Sequence, residues 1–217
     1  MASSSPTLWY KQTPHFVSLF VLLLISYFTW FRLGQPAPIA FWTAFSIPAL
    51  HQIFVWLAWR LELQSSLVSK TLGFRAYLVI FFVLFVGRFL SLFLLAYLDR
   101  GTLGLNSSVQ IAVTVICLCL SLYAIYSVRR YFGMARAAGA DHFELSYRSL
   151  PMVNQGIFKY SSNSMYVYAF LLVWAIAIGL NSSAALIIAA YSHIYIWVHY
   201  YCTEKPDMDF IYSPKEP

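Results

Sequence analysis

The feature that most limits this chain is a succession of apolar runs, each about as long as a bilayer is thick. Six stand out: Phe16 to Phe31, Ile39 to Trp59, Ala76 to Leu98, Val109 to Val128, Met165 to Leu180 and Ala184 to Tyr201. Crossing the hydrocarbon core as a helix takes about 20 such residues, and a helix pairs its own backbone groups, as lipid demands. The sequence therefore predicts an all-α fold, a polytopic transmembrane helical bundle of about six spans. The last two runs are joined only by Asn181-Ser-Ser183, so the bundle should end in an antiparallel helical hairpin. Charged residues make up 10% of the chain against about 25% in a soluble domain, which excludes a soluble globular fold.

The first run is rich in aromatics and is followed by Gly34-Gln-Pro-Ala-Pro38 with no convincing small-residue cleavage site before it. It reads as a span and not as a signal peptide. Pro48 should kink the second span. The net charge of +6 does not point to nucleic acid, because the basic residues sit in the gaps between apolar runs and form no basic face. Their partners are lipid headgroups. With both termini cytosolic and six spans, Lys11, Arg60, Lys70, Arg75, Arg129, Arg130, Arg136, Arg148, Lys159, Lys205 and Lys215 fall on the cytosolic side. Only Arg32 and Arg100 fall outside, and Arg88 lies within the membrane. That bias sets the orientation. The Asn106-Ser-Ser and Asn181-Ser-Ser sequons then lie outside, close to the membrane. Cys117, Cys119 and Cys202 form no CxxC or zinc pattern and read as apolar filler, so no metal is expected.

Three polar segments meet the cytosolic face: Arg60 to Arg75, Arg129 to Asn163, and the tail from Cys202 to Asp209. The second gathers Asp141, His142 and Glu144 just beyond a span. Such a cluster suits a reaction site at headgroup level. Connections between spans are polar in any case, and His142 serves equally as a cap or interface anchor. Pro206 should end the sixth helix near Lys205. Glu204 would then occupy a last turn, where the helix dipole disfavours a carboxylate. A carboxylate in that place points to a task, such as accepting from a ligand hydroxyl or amine. His193, Trp197, Tyr200 and Glu204 share one helical face. They either line a cleft or are interface aromatics with a satisfied histidine. Arg88 should face the bundle interior or snorkel, partnered by a polar residue such as His51 or Gln52 or by a headgroup phosphate.

Two stretches resemble the integral-membrane methyltransferases of the phosphatidylethanolamine N-methyltransferase and isoprenylcysteine carboxyl methyltransferase type. They are Gly156-Ile-Phe-Lys-Tyr-Ser-Ser-Asn-Ser-Met-Tyr166 and, after the hairpin, Glu204-Lys-Pro-Asp-Met-Asp-Phe-Ile-Tyr212. Gly156, Tyr160, Asn163, Met165 and Tyr166 match the first family motif, and Glu204 the first acid of a Glu-Glu pair. The Glu-x-Pro then Ile-Tyr spacing is similar to that of the phospholipid enzymes. Gly139, with Asp141 and His142, lies where the family has its upstream glycine-containing cofactor segment, without the Gly-x-Gly form. Ser164 stands where the family has proline. Lys205 stands where it has a second glutamate, reversing a charge near a cationic sulfonium cofactor.

The apolar runs make 1–128 a region of N-terminal transmembrane helices, and the resemblance implies a cofactor-binding region with the hairpin over 129–217. It implies an S-adenosylmethionine-dependent enzyme, with cofactor entering from the cytosol and a lipidic acceptor from the bilayer. Gly139, Gly156, Tyr160, Asn163, Tyr166 and Glu204 would hold the cofactor. Asp141 or His142, with Glu204, would orient or deprotonate the acceptor. A phospholipid amine is the expected acceptor; a prenylated cysteine carboxylate, a sterol-like lipid or a small thiol are alternatives. A non-catalytic scaffold or a transporter is the competing class, although no repeat symmetry supports transport. The membrane would be endoplasmic reticulum in a eukaryote or the inner membrane in a bacterium.

Overall fold

The computed structural model describes residues 5–213. Lys215, counted above among the cytosolic cations, lies outside them. The described residues form helices and turns with no strand. Helices α1 (Gln12–Arg32), α2 (Pro38–Ser65), a short α3 (Leu67–Thr71), α4 (Phe74–Leu98) and α5 (Ser107–Ser127) come first. A π turn over Val128–Phe132 extends α5. Three short helices follow, α6 (Met134–Ala137), α7 (Ala140–Phe143) and α8 (Leu145–Arg148), then a 3-10 turn over Gly156–Lys159. The terminal hairpin has a first leg of π turn Met165–Ala169 and α9 (Leu171–Gly179), and a second leg, α10 (Ser183–His199). A third π turn, Tyr200–Glu204, carries α10 into α11 (Lys205–Ile211).

The protein is a polytopic helical bundle that ends in an antiparallel hairpin, as its apolar runs require. The expected count of six spans is not confirmed: among the described residues, the four helices α1, α2, α4 and α5 with its π turn are by themselves long and apolar enough to cross a membrane. The leg Met165–Gly179 is shorter, and α10 has 17 residues. Their position explains why they need not match a bilayer by themselves. Helix α10 is the interior element, packed against α1, α2, α4 and α9. Its buried Ala184, Ala185, Ala189 and Ser192 are small enough to let neighbouring backbones approach. Around them Trp30 stacks on Phe41 with ring centroids 4.2 Å apart.

Helix α2 carries Pro48 inside it and runs on to Ser65. One expectation changes: Pro206 does not end the last helix, because it sits at the start of α11, where the π turn has already shifted the hydrogen-bond register. Proline has no N–H for the carbonyl four residues back. That carbonyl, Cys202 O, instead accepts from Gln12 Nε2 at 3.0 Å and Arg60 Nη2 at 3.3 Å. The helix continues, so Glu204 is in mid-helix and not in a last turn.

At the end where the hairpin turns, Asp99 accepts from Ser182 Oγ (2.7 Å), Ala184 N (2.8 Å) and Thr102 Oγ1 (2.9 Å). This ties α4 to the first turn of α10, where a carboxylate is favoured. Asn181 has φ 55° in the turn, and its Oδ1 accepts from Leu105 N. Asn106 caps α5 by accepting from Ser108 N.

Candidate functional site

At the opposite end the three predicted polar segments converge, joined by the N-terminal segment. Asp207 on α11 is fully buried and lies 3.0 Å from Arg60 Nε of α2 and 3.4 Å from His142 Nε2 of α7. Arg60 also donates to Thr7 O at 2.9 Å. Arg136 Nε lies 3.4 Å from Asp141 Oδ2, and its guanidinium donates to Pro151 O and Tyr212 Oη. Arg148 donates to the Asp141 and His142 carbonyls. Buried charges of this kind persist only when paired and hydrogen-bonded. The network therefore clamps the tail onto the loop after α5.

Trp59 of α2 lies against this network. Its ring stacks on His142 at 4.1 Å between centroids, and its Nε1 donates to Tyr77 Oη at 2.7 Å. Tyr77 in turn donates to Ala138 O. Gly139 has φ +86°, and a Cβ there would stand 2.4 Å from the Trp59 ring. Only glycine allows both the left-handed turn and this approach.

On the other side of Trp59 is a cavity of about 300 Å³, at the lower end of the volumes typical for small-molecule sites. Its polar lining is His51, Gln52, Arg88, Tyr166, His199 and Glu204. All three π turns reach it, through Val128, Met165 with Tyr166, and Glu204. Such turns recur at functional sites because they re-aim side chains within a helix. Val86 and Leu90 of α4 and Ile125 of α5 line the cavity and are also exposed on the outer surface. The cavity thus opens sideways, between α4 and α5.

Tyr166 Oη donates to Glu204 Oε2. Glu204 lies beyond the end of α10, and burial pushes its carboxyl up to about 7. The Tyr166 hydrogen bond opposes that rise, while the nearby Asp207 and Asp141 carboxylates add to it. His199 is 2% exposed, and neither ring nitrogen has a hydrogen-bond partner. Arg88 Nη2 lies 3.2 Å from His51 Nδ1, so the intramembrane arginine does face the interior with a histidine beside it.

Of the residues named from the family motifs, Tyr166, Met165 and Glu204 line the cavity, and His51, Gln52 and Arg88, named from sequence as intramembrane polar groups, line it as well. Asp141 and His142 lie behind Trp59. Each His142 ring nitrogen faces an oxygen, Gly139 O at 3.1 Å and Asp207 Oδ2 at 3.4 Å. Gly156, with φ +60°, packs on Ser127 and Tyr131 of the extended α5. Asn163 starts the helical leg by accepting from Tyr166 N and Val167 N. Tyr160 is 73% exposed, away from the cavity. Ser164 is buried and donates to Ile157 O and Ser161 O, tying the loop together where the family has proline. Lys205 points outward to Asp209 at 2.9 Å, so its charge does not face the cavity. His193 is satisfied, accepting from Trp174 Nε1 at Nδ1 and donating from Nε2 to Tyr166 O.

Sequence reading gave no site role to Trp59, His199, Asp207 and Arg60. One signal was available: His51, Val55 and Trp59 recur every fourth residue, which places them on one face of α2.

A sideways-open cavity with polar groups at its walls, inside a bundle of membrane-length helices, defines a multi-pass membrane protein built around a small-molecule site. Residues 109–215 match the family model for phospholipid methyltransferase, and this C-terminal segment, just under half of the chain, is of the integral-membrane methyltransferase family. No curated protein and no solved structure matches the chain. The matched segment begins in α5, so His51, Gln52, Trp59 and Arg88 are supplied from outside it.

Proposed function

We propose that this protein transfers a methyl group from S-adenosylmethionine to a lipidic acceptor, the amine of a phospholipid. The observation that carries the reading is the cavity itself. It holds a carboxyl and an unpartnered imidazole within the segment matched to the family, and it opens toward the bilayer between α4 and α5.

The residues present fit the donor. Bound there, S-adenosylmethionine would supply an electrophilic methyl group on a cationic sulfonium. Glu204, oriented by Tyr166, offers the complementary charge, and the Trp59 ring offers a face that attracts cations. An ammonium must lose a proton before it can attack, and His199 is the group in the cavity with nitrogens free to take one. Behind it lies His15, with ring centroids 5.7 Å apart. Gln12 Nε2 donates to Cys202 O, so its Oε1 accepts from His15 Nδ1 at 2.6 Å. His15 Nε2 is left as a bare acceptor without a partner beside the His199 ring. Asp141 and His142 then act as positioning residues, holding Trp59 and the tail. Gly139 and Gly156 shape the turns that bring this loop to the cavity, while Asn163 starts the helical leg that carries Tyr166 into it.

The exposed Lys11, Lys70, Arg75, Arg129, Arg130, Lys159 and Lys205 lie at the π-turn end, and Arg32 and Arg100 at the other. This supports a cytosolic π-turn end with both termini on that side.

The test is incorporation of labelled methyl from S-adenosylmethionine into membranes that express wild type, Glu204→Gln or His199→Phe. Mass spectrometry of extracted lipids should show amine headgroups heavier by one methyl with wild type. Either substitution should lower the rate about a hundredfold or more. Absence of incorporation by folded wild type would leave a non-catalytic scaffold as the reading.

A further inference from the structure

Arg88 is 2% exposed in the middle of α4, among lipid-facing residues. A guanidinium in that setting needs an anion or an equivalent set of acceptors. Among the described residues, every ion pair lies elsewhere: Arg60 and His142 with Asp207, Arg136 with Asp141, and Lys205 with Asp209. Asp99, the acid toward the other end of α4, is occupied by Ser182, Thr102 and Ala184. The hydrogen-bond acceptors of Arg88 are His51 Nδ1 at 3.2 Å and Pro48 O at 3.5 Å, both from Nη2, and its guanidinium lies 5.4 Å from the centre of the Phe170 ring. Arg88 Nε is buried without a partner.

The histidine beside it has the same property. A guanidinium only donates, so His51 Nδ1 is the accepting nitrogen and the ring proton sits on Nε2. That Nε2 is also buried without a partner. Both side chains line the cavity. Two inward donors, one of them charged, with no acid beside them form a site of one polarity. A neutral hydroxyl or amine, which brings its own donor, suits it less well than an oxygen anion with several lone pairs.

We infer that Arg88 and His51 form an oxyanion-binding site in the cavity, which takes a phosphate or carboxylate group of a bound ligand. The ligands in question rest on the methyltransferase reading. The phosphodiester of a phospholipid acceptor and the carboxylate of the donor's methionine part share this chemistry.

Calorimetry on the full chain in detergent, with wild type, Arg88→Met and Arg88→Lys, tests the site through binding. Each anionic ligand is paired with a counterpart that lacks the anion. Dihexanoyl-phosphatidylethanolamine is set against dihexanoylglycerol, and S-adenosylmethionine against its decarboxylated analogue. Arg88→Met should weaken the anionic member of one pair about tenfold or more and leave its counterpart unchanged. Arg88→Lys should retain most of the affinity. The pair that responds identifies the source as lipid phosphate or donor carboxylate. Octyl phosphate against octanol makes the same comparison without reference to methyl transfer, so failure of the enzymatic reading and failure of the site are distinguishable. Equal weakening within every pair, or no weakening in any, would overturn the site. A further readout guards against misfolding: the ligand-free Arg88→Met protein should unfold at the same or a higher temperature, since a buried cation without an anion is removed. A large fall would make Arg88 a structural residue and overturn the inference.

Discussion

The two ends of this bundle treat polar groups in opposite ways. At the hairpin-turn end, Asp99, Ser182, Asn181 and Asn106 bond to backbone or to one another, at the ends of α4, α5 and α10 and in the turns between them. At the π-turn end the bonds join buried charged and polar side chains to the tail and to the N-terminal segment, such as Arg60 to Asp207 and Gln12 to Cys202. Beside them, His199, His51 and Arg88 keep nitrogens with no protein partner. One end is self-sufficient and serves the fold. The other keeps polar atoms that only a ligand or solvent can satisfy, and native proteins bear that cost mainly at functional sites.

The comparison breaks most severely if the buried network loses its centre. Asp207→Ala strands Arg60 in the interior, and we expect a loss of about 3–5 kcal/mol in detergent unfolding. Adding Arg60→Met should restore much of it. Gly139→Ala comes next. A left-handed backbone and a Cβ driven into Trp59 together should cost about 2–4 kcal/mol, and methyl transfer should fall as well because Trp59 borders the cavity. Asp99→Asn tests the self-sufficient end. It should cost about 1–2 kcal/mol in stability while the affinity for S-adenosylmethionine stays at the wild-type value.

Acidity sharpens the contrast further. The Glu204 carboxyl titrates near 7 in the folded protein against an ordinary 4.5. Between these values the folded state holds a proton that the unfolded state has released. The ligand-free protein should therefore lose stability as pH rises from about 4.5 to 7. Cation binding should move the other way, strengthening roughly tenfold from about pH 6 to 8 as the carboxylate forms. Calorimetric titrations with S-adenosylmethionine should show that slope in wild type and a flat profile in Glu204→Gln. The smallest effect belongs to Lys205→Ala, whose partner Asp209 is also exposed. Neither the unfolding midpoint nor methyl transfer should move measurably.

Much of the fold was legible because hydropathy acts residue by residue. Phe16 to Phe31 or Ala76 to Leu98 can satisfy lipid only as a helix, whatever surrounds them. The hairpin followed from a three-residue connection, and Glu204 and Tyr166 from motifs of short range. Lys205 was misleading for a reason visible only in three dimensions. On a helix the residue after Glu204 points about 100° away from it, whereas Asp207, three residues on, shares its inward side. Pro206 misled because its effect depended on Gln12 and Arg60 arriving to use the Cys202 carbonyl.

By itself the sequence determined a helical membrane protein with a terminal hairpin, a converging polar face and a methyltransferase motif. These depend on chain-local quantities: the length of apolar runs, the spacing of motif residues and the distribution of positive charge. The tertiary structure decided that the unmatched helices α2 and α4 supply His51, Trp59 and Arg88 to the cavity, and that His142 stands behind Trp59 while His199 faces it. Whether a buried polar atom is satisfied or left free is settled by the atoms within about 3 Å of it, and in this bundle many of those belong to residues more than a hundred positions away.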